Sequence, residues 1–447
     1  MVTNSPAANE TDSQYPSPTY AWYMVAVLTV AYVLSFVDRY ILGLLVEPIK
    51  ADLGISDSQM GWLLGFAFLF FYALMGLPLG YLADRKRRTW LVAAGIALWS
   101  AATAASGLAK NFTHLFLARF SVGVGEATLS PCAMSMISDS FPPERRGKPI
   151  ALYTAALSLG AGIASLVSAA VLAWANTETT FALPLVGSVK PWQFTFFVVG
   201  VPGLAIAVIM FFMREPVRLD APRDGEKKSG FGDMLGYVGT RWPVYLSFVA
   251  FVCLMTISAY SQGWFAAMFA RTWDWPAQQY ALVNGILLLA IGPATVNFAG
   301  WLSDRLVSRG NADAPLLIVI VGAFILIPTG IIAPLMPTPT LAFAILAINT
   351  VGIALTSATG VTALLQITPG RIRGQTVALY YMVISLAGAI GPWLVGLLSD
   401  QVFGNENLNQ ALAAVPLIFG LLVLPFAGFA RRAYRAELDR YTAETSA

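Results

Sequence analysis

The sequence predicts an all-α membrane protein of twelve transmembrane helices, arranged as two pseudo-symmetric six-helix bundles. Three observations carry this expectation. The composition is 57% hydrophobic and only 11% charged, with a strongly positive mean hydropathy, whereas a soluble domain averages about 25% charged residues. Long apolar segments follow one another along the chain, and part of the sequence repeats at a displacement of six of those segments. A bilayer-crossing helix takes roughly 20 apolar residues, so twelve of them with short connections use nearly all of the 447 residues.

Taken in order, residues 1–19 read as a flexible cytoplasmic N-terminal tail rich in Ser, Pro and Asn. They lack the basic start and the small-residue cleavage site of a signal peptide. The first bundle, 20–213, holds spans near 20–46, 58–83, 89–108, 113–139, 147–174 and 193–213. A longer connection, 214–242, forms a cytoplasmic linker whose first part is charged and rich in Pro and Gly. Further along it, Phe231, Met234, Leu235 and Val238 fall at helical spacing and suit a helix on the cytoplasmic membrane surface. The second bundle, 243–430, holds spans near 243–269, 277–303, 314–335, 339–366, 373–398 and 411–430, and residues 431–447 form a cytoplasmic C-terminal tail.

Basic residues set the orientation, because cytoplasmic loops carry an excess of Lys and Arg. With the N-terminus inside, the 27 Lys and Arg fall in the even connections and the C-terminal tail, apart from six. Lys50, Lys110, Lys190 and Arg271 lie in odd connections, and Arg39 and Arg119 lie inside spans. Both termini are therefore expected to face the cytoplasm of a multi-pass inner-membrane protein. The net charge of +3 then reports topology and implies no nucleic-acid partner. Cys132 and Cys253 fall inside spans in different halves and read as small apolar residues without a redox role.

The repeat is specific. RGKPIALYTAALSLGAGIA, from Arg146 to Ala164, matches RGQTVALYYMVISLAGAIG, from Arg373 to Gly391, at eight of nineteen positions. GYLADR (Gly80 to Arg85) closes the second span, and GWLSDR (Gly300 to Arg305) closes the eighth. Fifth to eleventh and second to eighth are both displacements of six helices. Parallel repeats of this kind place a substrate path at the interface of the two halves.

These residues resemble the major facilitator superfamily over essentially the whole chain. GYLADRKRR sits where that superfamily keeps its Gly-x-x-x-Asp-Arg loop, with Arg87 in place of the usual Gly. VDRYILGLL in the first span, GYLADR in the second and RFSVGVGEATLSP in the fourth together look like the spinster branch. That resemblance implies the major facilitator fold, alternating access and proton-linked movement of lysophospholipids or sphingoid phosphates. It also implies a monomer among membrane lipids, with no cofactor. Related organic-anion branches share the Arg, Gly and Glu-Ala of the fourth span, so a proton- or sodium-coupled carrier of small organic anions or drugs stands as the alternative.

Charges inside the bilayer cost about 2.5–3.5 kcal/mol even on the insertion scale and are usually functional. Asp38 and Arg39 lie in the first span, Arg119 and Glu126 in the fourth. Counting about 1.5 Å per residue, Asp38 and Arg39 lie roughly 10–12 Å from the outer end of their helix, and Arg119 and Glu126 roughly 9 and 20 Å from theirs. Seven residues return Glu126 nearly to the helix face of Arg119. Burial raises a carboxyl pKa while a neighbouring Arg lowers it, so such a network responds to moderate pH changes. Asp38 and Glu126 are therefore the expected proton-coupling acids. Arg119 is expected as partner of the substrate anion or a carboxylate, and Arg39 as the gating partner. A purely structural ion-pair cluster is the competing explanation.

The GYLADRKRR loop reads as a conformational latch, in which an acid at one helix end sits against a neighbouring helix N-terminus and an Arg. Asp84, Arg85 and Arg88 are the expected latch residues, with Asp304 and Arg305 as the second copy. Gly123, Gly125, Gly160 and Gly162 read as close-packing sites between helices. The second half offers uncharged polar and aromatic groups to line a cavity: Tyr260, Gln262, Trp264, Asn284, Asn349, Gln366, Tyr380 and Trp393. A charged wall facing a neutral one suits an amphiphile with an anionic head. An enzyme is a poor fit, since the only histidine is His114 and neither metal-ligand nor nucleophile motif occurs. A fixed channel suits the duplicated plan less well than alternating access does.

Overall fold

Segments this apolar must pair their backbone polar groups internally, and helices do so within one segment. The computed structural model, which describes residues 15–184, 186–218 and 231–446, is helical almost throughout. In the first half lie α1 (Pro18–Leu44), α2 (Val46–Leu53), α3 (Asp57–Leu64), α4 (Phe66–Ala83), α5 (Arg88–Ser106), α6 (Phe112–Glu126), α7 (Leu129–Ser140), α8 (Gly147–Ala175) and α9 (Pro191–Phe211). The second half contains α10 (Phe231–Thr240), α11 (Trp242–Tyr260), α12 (Phe265–Trp273), α13 (Ala277–Ser308), α14 (Ala314–Ile332), α15 (Pro339–Gln366), α16 (Arg373–Leu398) and α17 (Leu408–Ser446). A small antiparallel hairpin, β1 (Phe181–Leu183) with β2 (Gly187–Val189), precedes α9. It is held by Phe181, whose ring stacks on Phe194 at 3.9 Å. Residues 1–14 of the expected tail and 219–230 of the expected linker lie outside the described residues.

Among the described residues, ten helices are long and apolar enough to cross a membrane, and Gly147–Ala175, bent by 44°, makes an eleventh. The fourth expected span is divided between α6 and α7 by a break at Ala127 and Thr128, and each piece is too short alone for the roughly 20 residues a bilayer demands. Twelve crossings are reached only when this broken pair is counted as one.

Three segments gain helical structure beyond their apolar runs, because side chains there find partners. The expected C-terminal tail is helical as far as it is described, for α17 continues to Ser446. Tyr434 is fully buried and donates to the Ala363 carbonyl at 2.7 Å, while Arg431 and Arg435 pair with Asp313 at 2.8 and 2.7 Å. Within the linker, α10 buries Met234 and packs Val238 against the second bundle, while Leu235 stays about half exposed. The seventh span runs on through α12 to Trp273, which brings Arg271 into a helix.

The halves meet where α8 packs on α13 and where α16 packs on α3 and α4. These are the fifth span against the eighth and the eleventh against the second, pairs that exchange under the six-helix displacement. Close approach fixes small residues there. A Cβ on Gly65 would stand 2.3 Å from the Ala389 carbonyl oxygen, and one on Gly162 would meet Leu289 at 2.6 Å.

Candidate functional site

The two ends of the bundle differ in chemistry. The end at which α1 begins and α17 finishes, the termini end, holds Tyr20 beside Arg214 and Asp313 beside α17. The opposite, distal end holds the α2–α3 region and the α12 terminus. Between them lies the charged group expected from the sequence.

On α1, Arg39 points at Glu126 of α6: Nε donates to Oε2 at 2.7 Å and Nη2 lies 2.5 Å from the same oxygen. Three rings surround this guanidinium, Phe36 at 5.4 Å, Phe68 at 4.9 Å and Tyr72 at 5.0 Å, each within cation–π range. The Arg39 side chain keeps 24% exposure while that of Glu126 keeps 1%, so the pair is open on the base's side and closed on the acid's. Asp38 and Arg119 are both buried, and their link runs through the backbone. Arg119 Nη1 donates to the Asp38 backbone carbonyl at 2.9 Å. Asp38 Oδ1, Arg119 Nε and Glu126 Oε1 are buried without a hydrogen-bond partner. The structure thus brings all four charged residues together and makes Arg39 the partner of Glu126.

Of the neutral wall, Tyr260 is 43% exposed and lies within electrostatic range of Arg39. Tyr381, which the sequence reading passed over, lies within range of Tyr72 and Tyr32. Other expected lining residues hold hydrogen bonds or ring contacts within the bundle. Trp264 is buried and donates to the Pro392 carbonyl at 2.8 Å. Asn349 accepts from Gln262 at 2.5 Å and donates to Leu326 and Thr329. Gln366 accepts from Tyr434 at 2.8 Å, and Tyr380 stacks on Phe248. Asn284 reaches Ser165 across the halves at 3.5 Å.

The latch residues divide. Arg85 lies 3.9 Å over the Tyr81 ring and Arg305 lies 5.1 Å over Trp301, the same arrangement in both copies of the repeat. Tyr81 and Trp301 are each more than half exposed. Asp84 meets Arg218 through its backbone carbonyl. Arg88 is otherwise engaged: it is buried, bonded to Glu215 at 2.8 Å, to Ser135 at 2.7 Å and to Asp139. It ties α5, α7 and the start of the linker together. The Glu215 carboxyl, pushed up by burial but held by the Thr89 and Arg88 backbone N–H groups and the Arg88 guanidinium, lies below the usual carboxylate range.

A second cluster, at the distal end, was hidden in the sequence. Asp57, the first residue of α3, accepts from Arg271 of α12 at 2.7 and 2.8 Å, from Ser399 at 2.6 Å and from Lys50. Arg271 also reaches Glu47 at 2.8 Å. Asp400 receives the Ser58 N–H at 2.7 Å and the Asp57 N–H at 3.2 Å, so the second half caps a helix of the first. Gly396 permits this, since a Cβ there would lie 2.2 Å from the Asp57 carbonyl oxygen. Five charged side chains and a helix start therefore clasp the two halves at one end.

Comparison with known proteins agrees with this architecture. The chain matches the Major Facilitator Superfamily over residues 28–392 and again over 270–444. It is 28% identical to an MFS-type efflux pump of Mycolicibacterium smegmatis, over 91% of this chain and 92% of that one. It is 24% identical to protein spinster of Drosophila melanogaster, covering 87% of this chain and 64% of that longer protein. Among solved structures it resembles a bacterial homologue of the human lysosomal transporter spinster in an inward-facing, unoccupied conformation. There the identity is 26% and the TM-score 0.82, over 94% of this chain and 99% of that one.

Proposed function

The chain belongs to the Major Facilitator Superfamily, and we propose that it is a proton-coupled secondary transporter that moves an amphiphilic anion, such as a lysophospholipid or sphingoid phosphate, by alternating access. The observation that carries this reading is the Arg39–Glu126 pair, buried on the acid's side and open on the base's. While Glu126 is ionised, it occupies the guanidinium. When Glu126 takes a proton, the attraction is lost, and Arg39 is left with three ring faces and free donors for an anionic head group. Proton binding and anion binding then help each other, with a coupling free energy of about 1–3 kcal/mol. Asp38, beside Arg119, is the second acid. Exposed Tyr260 and the nearby Tyr381 supply an uncharged wall for the rest of an amphiphile.

In this reading the distal clasp is the closed outer gate, both termini lie in the cytoplasm of the inner membrane, and the conformation is inward-facing. The likeness to an inward-facing spinster homologue supports that orientation, as does the distribution of Lys and Arg. The Asp84–Arg85 and Asp304–Arg305 copies form the inner latch, which engages when the halves close over the termini end. The chain works as a monomer in contact with membrane lipids.

A second reading, a proton- or sodium-coupled carrier of small organic anions or drugs, is favoured by the efflux pump that matches this chain over nearly its full length. Reconstituted flux of a lysophospholipid and of a panel of carboxylates and drugs, each with and without a pH gradient, separates the two. Lysophospholipid flux driven by the gradient supports the first reading. Flux of the small solutes alone replaces it with the second.

A further inference from the structure

The transport mechanism leaves Arg87 without a part, although this is where the chain departs from the usual Gly of the loop motif. Arg87 directly precedes α5, and its side chain does not cap that helix. Its guanidinium instead lies 4.4 Å from the centre of the Trp90 ring. Trp90 stacks on Phe211 at the end of α9, with ring centres 5.5 Å apart and planes 12° from parallel, and Phe211 meets Phe212 at 5.4 Å. Phe212 is 78% exposed, and Trp90 and Phe211 are about half exposed.

A second base joins this column of rings. Glu215 accepts the Arg88 and Thr89 N–H groups at 3.2 and 2.9 Å, which holds the chain after α9 against the start of α5. Arg214, the residue before Glu215, is thereby brought to the same corner as Arg87, the residue before Arg88. The Arg214 N–H is fixed by the Tyr20 hydroxyl at 2.6 Å, and the residue stays exposed. The Glu215 carboxylate is taken by α5 and by the Arg88 guanidinium. Among the described residues, neither Arg87 nor Arg214 pairs with a carboxylate. The ring-bound arginines of the latch differ, since Arg85 and Arg305 each follow an Asp, whereas Arg87 stands between Lys86 and Arg88.

Position narrows the partner of this corner. The α5 and α9 helices pack on one another within the first half, whereas the halves meet where α8 packs on α13 and α16 on α3 and α4. The ring column therefore stands apart from the path between the halves. It sits where two spans end, Arg88–Ser106 and Pro191–Phe211, at the level of the lipid head groups, where aromatic rings are enriched. The N–H donors of a guanidinium lie in its own plane, so one whose face rests on a ring keeps them for phosphate oxygens. We infer that Arg87 and Arg214, with Trp90, Phe211 and Phe212, bind a two-chain anionic phospholipid on the lipid-facing flank of the first bundle. The two guanidiniums take the phosphate, and the exposed rings lie along the upper part of the acyl chains. This site is separate from that of the transported molecule.

The test is binding of dioleoylphosphatidylglycerol to the purified, delipidated full chain, read by native mass spectrometry and compared with dioleoylphosphatidylcholine. The proteins are wild type, Arg87→Gly, Arg214→Gln and, as a charge-matched control, Arg145→Gln, which removes another exposed arginine. Arg87→Gly and Arg214→Gln should each weaken phosphatidylglycerol binding about fivefold, the share of one basic residue at a membrane surface, while Arg145→Gln should leave it unchanged. Should Arg87→Gly lose monodispersity, Arg87→Gln takes its place with the same expected loss. Unchanged binding in the Arg87 and Arg214 variants overturns the site, and so does an equal loss in Arg145→Gln, which would reduce it to general surface charge. Wild type that binds both lipids equally also overturns it. Displacement of the lipid by glycerol phosphate would make this a site for free phosphate, and displacement by an equal concentration of lysophospholipid would make it the transport site; either result overturns the assignment.

Discussion

Neutralising Asp57 should open the distal end. In Asp57→Asn the side chain keeps its shape and one acceptor oxygen but loses the charge that Arg271 and Lys50 share. The Asp57 side chain is fully buried and that of Arg271 keeps 11% exposure, so solvent does little to screen the loss while the halves are clasped. Removing one partner of a buried ion pair costs about 3–5 kcal/mol. Glu47 still faces Arg271, and Asp400 still caps α3, which reduces this to about 1.5–3 kcal/mol, the range for a hydrogen bond to a charged group. Once the halves part, the same groups are hydrated and the substitution costs little. The equilibrium should therefore move about 10- to 150-fold toward the distal-open state. Spin labels at exposed Thr113 and Thr340, one in each half near the distal end, measure it: the variant's distance distribution should gain a longer component that wild type lacks. An unchanged distribution in a folded variant would refute the assignment of this cluster as a gate.

Other outcomes follow from the same geometry. Glu126→Gln should keep expression and monodispersity yet lose the pH dependence of uptake, and Asp38→Ala should do the same; retained proton-driven uptake in either variant removes that acid from the mechanism. Asp84→Asn, which weakens the inner latch, should increase the inward-open population, read from labels at exposed Arg145 and Arg309; an identical distribution counts against the latch. Outside the membrane, burial pushes the Asp313 carboxyl up, but Arg435 and Arg431 outweigh it and hold it below the usual carboxylate range. Its contribution to stability is thus present above the unfolded pKa, near 4, and disappears as pH falls through the lower folded value. Thermal unfolding at pH 7 and pH 3 should show a smaller acid loss for Asp313→Asn than for wild type, and equal losses would show that this contact is not linked to pH.

The parts of this architecture that obey a period or a cost were legible in the sequence. Apolar runs announced the spans, the GYLADR and GWLSDR copies announced the duplication, and the expense of intramembrane charge singled out Asp38, Arg39, Arg119 and Glu126. Pairing within that group was not legible, because residue spacing places side chains on helix faces without fixing which helix turns toward which, and so it does not say that Arg39 meets Glu126 while Arg119 meets the Asp38 carbonyl. The clasp escaped because Glu47, Lys50, Asp57 and Arg271 read as ordinary loop charges, and only the fold brings Asp57 to a residue 214 positions away. Tyr72 and Tyr381 carried no signal above the aromatic background of their spans. The helical continuation of α17 was hidden by its charge, since Arg431 and Arg435 read as a tail until Asp313 is seen between them.

One measurement bears most directly on proton coupling through the Arg39–Glu126 pair: lysophospholipid flux into proteoliposomes of wild type and Glu126→Gln, recorded with and without an imposed pH gradient. Wild-type flux should rise with the gradient and Glu126→Gln flux should ignore it. Wild-type flux that is the same in both conditions would contradict the mechanism.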